Sequence, residues 1–230
     1  MIEPIVIKPL TNFWMVGIVL SIIISYLIIS IGTKLPPDQR KMMMISLGLL
    51  ILLMEAIQQI YYFKKGIWNL ETSIPLHLCG VSILLSGLVI IKPYQSIFEF
   101  LALIGSPGAF HALLTPQLNH GFAPFLAFKY YFGHTAIILI PLFLAVVQGY
   151  RIRSSSWYRV FLMVQLLIIS IMIINQIFGS NYMYLSEKPL VNNPMILGDW
   201  PWYILGFEFF GFIHIMIFYY AYRFLKPLPY

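Results

Sequence analysis

Long apolar runs with almost no charge inside them dominate the chain. Asp, Glu, Lys and Arg are absent from 13–33, 42–54, 72–91, 100–128, 130–150 and 160–186, and cluster between those stretches. A hydrocarbon core takes about 20 such residues per helix. The runs and their breakers predict seven transmembrane helices. The first three cover about 12–32, closed by Lys34, Pro36 and Pro37; 42–63, closed by Lys64, Lys65 and Gly66; and 74–91, with Ser73 as N-cap and Pro75 in the first turn. The others cover about 96–114, softened by Gly105, Pro107 and Gly108; 130–149; 158–178; and 201–223, opening on Pro201. An open strand cannot satisfy its backbone in lipid, so all are helical. The expected fold class is all-α: one polytopic membrane bundle of seven transmembrane helices forming a single domain over 1–230.

Composition agrees with this pattern. Sixty per cent of the 230 residues are hydrophobic and 10% charged, against roughly 25% charged in a soluble domain. The first run is too long for a cleavable signal and lacks a basic leader. The +6 net charge does not call for nucleic acid, because the basic residues lie between spans and not in one patch. Their distribution sets direction. Lys8, Lys64, Lys65, Lys129 and Lys188 fall on the N-terminal side, five in all. Lys34, Arg40, Lys41, Lys92, Arg151, Arg153, Arg159, Arg223 and Lys226, nine in all, fall on the other. Basic loops stay in the cytoplasm, so the expected topology is N-terminus out and C-terminus in. No internal repeat is visible, which argues against a transporter built on inverted halves.

Polar residues inside the spans share one depth. Cys79, the single cysteine, is placed in the second turn of the third helix, about 7–8 Å from its outer end, and His134 about 6 Å into the fifth. His111 lies near the outer end of the fourth helix, and Asn175 and Gln176 in the last turn of the sixth. Glu55, Gln58 and Gln59 lie in the outer half of the second, Glu208 in the outer part of the seventh. The inner half is plainer, with Glu99 the main exception. Ionisable groups in a span face a cavity or a partner. Each also has a plain reading. A lone cysteine is ordinarily a small hydrophobe, Asn175 and Gln176 can tie helices together, and Glu55 can be a hydrogen-bond partner. His214 reads as a satisfied core histidine and His120 as a solvated loop residue.

The chemistry that suits a thiol and an imidazole at one depth is covalent acyl transfer. His77, two positions from Cys79, lies nearly opposite on a helix and is a poor direct base; His134 is the better partner, with His111 second. A nucleophile at that depth meets ester carbonyls of phospholipids, and Trp200, Trp202, Tyr182, Tyr184 and Tyr203 read as an interfacial belt. Two rivals stand beside this. A metal-dependent lipid hydrolase would take His77, His111 and His134 as ligands around an open position, without a His-x-x-x-His spacing to support it. A carrier or binding protein would hold a small solute in the polar pocket. One cysteine excludes an intrachain disulfide and a cysteine-rich metal site.

The segments PLHLC at 75–79, FFGHTAI at 131–137, NYMYLSEKP at 181–189 and DWPWYI at 199–204 together resemble the YwaF-type integral membrane proteins of bacteria. That family resembles the vertebrate cysteine-centred transmembrane acyltransferase of ether phospholipids. More distantly it is similar to the androgen-induced membrane lipid hydrolases, which use a threonine and a histidine. The resemblance implies Cys79 as acyl-accepting nucleophile and His134 as its partner; the charge count and the shared depth of the polar groups put the site toward the extracytoplasmic leaflet of the plasma membrane. Phospholipid and lysophospholipid are the expected substrates, and the thiol–imidazole chemistry is expected to need no cofactor and no metal. Asn181 and Tyr182 match its asparagine–tyrosine motif and are expected to line the site; Asp199 departs from the expected GPWPWY form. His77, His111, Glu55, Asn175 and Gln176 are expected to orient substrate or form an oxyanion hole.

Overall fold

The computed structural model describes residues 4–189 and 196–228 and is built almost wholly of helices. They are α1 (Asn12–Lys34), α2 (Pro37–Lys64), α3 (Leu78–Ile91), α4 (Gln95–Phe100), α5 (Ser106–Leu114), α6 (Pro124–Val146), α7 (Ser156–Phe178) and α8 (Trp202–Phe224). A π-helical segment, Leu101–Gly105, welds α4 and α5 into one rod over Gln95–Leu114. Pro107 explains the widened turn: it has no N–H and its ring crowds the carbonyl four residues back. The Ser106 amide reaches Leu101 O instead, five residues away.

Among the described residues six helices are long and apolar enough to cross a membrane, not seven. The exception is α3, whose 14 residues rise only about 21 Å against about 30 Å of hydrocarbon. The expected start at 74 is corrected by the backbone. Leu76 N–H turns back onto Ile74 O at 2.8 Å, which holds Pro75 in a tight turn, and His77 becomes the N-cap. Ser73 does not cap; its hydroxyl accepts from Asn69 N. The fifth expected helix also moves. It opens at Pro124, not 130, so Lys129 lies inside a helix and not in a loop.

The Gln95–Leu114 rod and α6 form the centre, each with 67% of its most apolar stretch buried, while the other long helices surround them and turn apolar side chains outward. At one end, β1 (Ile5–Val6) pairs antiparallel with β2 (Gln117–Leu118), and Thr72 approaches His120. At the opposite end Glu99, almost fully buried, receives both arms of the Arg153 fork at 2.8 and 2.7 Å. Its Oε1 also accepts from the Gln95 amide, so this inner carboxylate locks the start of the central rod to the 147–155 turn.

α2 and α3 touch at glycines. A Cβ on Gly48 would stand 2.6 Å from Gly87 O, and one on Gly87 3.3 Å from Gly48 O. Small residues let helix backbones meet in lipid. Gly48→Val is expected to destabilise by roughly 1–3 kcal/mol through overpacking, a melting-point drop of roughly 2–12 °C in detergent. An unchanged melting temperature would contradict this contact.

Candidate functional site

The site begins where α3 begins. The loop before it is pinned from two sides: Gln59 donates its amide to Ser73 O at 3.0 Å, and the Tyr182 hydroxyl accepts from Ile74 N and donates to Leu70 O. Gly80 makes this fold possible, since a Cβ there would stand 2.7 Å from the Pro75 carbonyl. Cys79 is thereby the second residue of α3. It sits in the first turn and not the second, where free amides and the helix dipole act. The tenth residue beyond Pro124 is His134, about 15 Å along α6 and not 6 Å. The folded-in loop carries Cys79 to that level. A Cβ on Gly133, the neighbour of His134, would stand 3.9 Å from Ile83 of α3, so α6 packs on α3 at this level.

Cys79 and His134 line one cavity of about 540 Å³, together with His77, His111, His214 and Glu55. Cys79 is half-buried, and among the described residues its sulfur makes no hydrogen bond. The histidines differ in tautomer, because a carbonyl oxygen can only accept and a backbone N–H can only donate. His134 Nδ1 lies 2.7 Å from Tyr130 O, so Nδ1 carries the hydrogen and Nε2 is left as a lone pair. His77 is the reverse: Met183 N donates to its Nδ1 at 3.1 Å, which puts the ring hydrogen on Nε2. His214 Nδ1 lies 2.6 Å from Phe210 O, and its Nε2 meets His111 Nε2 at 2.8 Å.

On the cavity wall, Lys129 of α6 donates to the Glu55 carboxylate of α2, both buried. Beside them the Tyr130 ring packs 4.1 Å from His134, centroid to centroid, with its hydroxyl donating to Ala112 O. His77, just outside α3, is held neutral: burial, then the neighbouring His120, lowers its pKa from 6.5 to about 4. The unfolded chain takes up that proton below about pH 6.5 and the folded one only near 4, so stability falls as pH drops through that window. Melting temperature is expected to decline from pH 6.5 to 4, and His77→Gln to flatten the decline; parallel curves would contradict it.

Four expected site residues do not line the cavity. Asn175 is buried but spent: its Oδ1 accepts from Tyr182 N and Ser180 Oγ, and its Nδ2 donates to Tyr182 O. Gln176, the next residue and so about 100° around the helix, is exposed. Asn181 closes its own turn, accepting from Ser186 N and Glu187 N and donating to Glu187 O. Tyr182 is fully buried, a strut packed edge-on against His77 at 5.4 Å. The belt reading is corrected as well, for Tyr203 is buried with Tyr182 while Trp200 and Trp202 are exposed. His120 is only partly exposed and stacks on Tyr62 at 4.3 Å. Asp199 has a partner of its own, the Lys188 ammonium at 2.7 Å, which holds its carboxyl below the ordinary value.

Lys129, Tyr130 and His214 are cavity residues that did not stand among the expected ones, while Glu208, expected among the polar groups at this depth, does line the cavity. The four-residue spacing of Tyr130 and His134 was the available signal for Tyr130. For His214 the signal was a histidine inside a span, though its partner, His111, lies on another helix. Among the described residues no group of three His, Cys, Asp or Glu side chains is placed to hold a metal ion. The TMEM164 family is matched over residues 7–219. No curated protein and no solved structure matches.

Proposed function

The chain belongs to the TMEM164 family, a family of membrane proteins, and from that premise we propose that it is a membrane acyltransferase working through Cys79. The observation that carries the reading is that one cavity is lined by Cys79 at a helix start and by His134, whose Nε2, without a hydrogen-bond partner among the described residues, keeps its lone pair. Nε2 of His134 takes the Cys79 proton, and the sulfur bonds to an ester carbonyl of a phospholipid. The C–O bond then breaks, and the departing lysolipid oxygen takes the proton from His134. That leaves a thioester on Cys79 and a lysophospholipid.

Charge develops on the carbonyl oxygen in between. The His77 Nε2–H and the unbonded first amides of α3 supply donors for it. An entering lysophospholipid or other amphiphilic alcohol then collects the chain; water in its place makes the same site a lipid hydrolase. The sequence requires no cofactor for these steps.

Direction follows the charge count. With Lys129 withdrawn into α6, the N-terminal side keeps four basic residues, Lys8, Lys64, Lys65 and Lys188, against nine. We read the N-terminus as outside and the C-terminus as inside, α3 as a seventh, partial crossing, and the site as facing the extracytoplasmic leaflet of a bacterial plasma membrane. A long-chain electrophile added to native membranes is expected to modify Cys79 alone, and phospholipid vesicles to protect it. Modification of no residue, or none that phospholipid slows, would overturn the reading.

A further inference from the structure

The cavity holds a second pair of rings that the Cys79–His134 chemistry leaves unused. His111 of α5 and His214 of α8 meet Nε2 to Nε2 at 2.8 Å. Only one hydrogen can lie between them. His214 has its own hydrogen on Nδ1, toward Phe210 O, so its Nε2 accepts and His111 Nε2 donates. Neutral His111 then carries its lone pair on Nδ1. Among the described residues that atom has no hydrogen-bond partner and is not fully buried, and His111 lines the cavity. The cavity thus presents two basic nitrogens from different helices, His134 Nε2 and His111 Nδ1. Transfer between two lipids involves two alcohol oxygens, one leaving and one entering.

We infer that His111, backed by His214, is the base for the entering alcohol, and that His134 serves the leaving one. This rests on the acyl-transfer reading and assigns its second half. The acceptor oxygen attacks the Cys79 thioester carbonyl while its proton passes to His111 Nδ1. The hydrogen on His111 Nε2 moves to His214 Nε2, and the positive charge comes to rest on His214, whose Nδ1–H is already bonded to Phe210 O. The C–S bond breaks and the sulfur leaves as thiolate. The same path in reverse returns the proton to the cavity, where the thiolate recovers it. Acyl chain, proton and thiol all balance. His214 is a positioning residue that holds the proton one ring away from the reacting atoms.

The test is the lifetime of the acyl-enzyme. Full-length protein, wild type, His214→Gln and His111→Gln, is mixed with phospholipid vesicles, then given lysophospholipid, and the intact mass is followed in time. A glutamine at 214 keeps an acceptor for His111 but takes no proton. The expected result is that both variants acquire the chain on Cys79 at close to the wild-type rate and lose it to lysophospholipid about 10²-fold more slowly. Loss at the wild-type rate overturns the inference. Failure of both variants to acquire the chain, where wild type does, overturns it too, because the pair then serves the first half or the fold. A wild-type protein that never acquires the chain sinks the acyl-transfer reading itself, and this assignment with it.

Discussion

Cys79→Ala is expected to lower acyl transfer by about 10⁴-fold or more, to background. Removing a covalent nucleophile deletes the intermediate, so no other group in the cavity substitutes for it. The fold should survive, since Cys79 is half-buried as a residue and its sulfur has no hydrogen bond to lose among the described residues. A cost of about 1 kcal/mol is ordinary for such a change. His134→Gln is the companion: it keeps a polar side chain of similar reach but holds no proton, and should cost about 10²–10⁴-fold. Transfer of a labelled acyl chain between vesicle lipids, measured on protein of matched melting temperature, separates chemistry from folding. Activity in Cys79→Ala near the wild-type level would end the proposal.

Lys129→Met is expected to be the most destabilising single change in the bundle. It strands the Glu55 carboxylate inside the protein, where removing one partner of a buried ion pair costs about 3–5 kcal/mol. For a chain of this size that is a melting-point drop of roughly 6–20 °C. Replacing both, Glu55→Leu with Lys129→Met, should recover most of the loss, because two desolvated charges disappear together. Thermal melts of the singles and the double variant decide it. Singles that melt like wild type would mean that the pair is wetted by the cavity and carries little.

The helical architecture was legible because apolar runs of about 20 residues between charge clusters have few other physical solutions. The cysteine and histidine were legible for a related reason, as polar groups where lipid makes them costly. Three things were not. The start of α3 was hidden because Ser73 and Pro75 look like a cap and a first turn, whereas the backbone spends both on a loop fold held by Gln59 and the Tyr182 strut. Lys129 was misplaced because a charge normally marks a helix boundary, and its partner Glu55 is 74 residues away. Asn175 and Gln176 looked alike in sequence, yet adjacent helical positions face different ways, one into a turn and one outward. Tautomers are a further layer beyond sequence. Only the hydrogen-bond partners distinguish His134, with its free Nε2, from His77, whose Nε2 carries the hydrogen.

The most direct measurement is the intact mass of the wild-type protein during turnover with its own membrane phospholipids. The account predicts a population heavier by one fatty acyl group, mapped to Cys79, released by hydroxylamine and absent from Cys79→Ala. Chains moving between lipids while Cys79 stays unmodified throughout would contradict it.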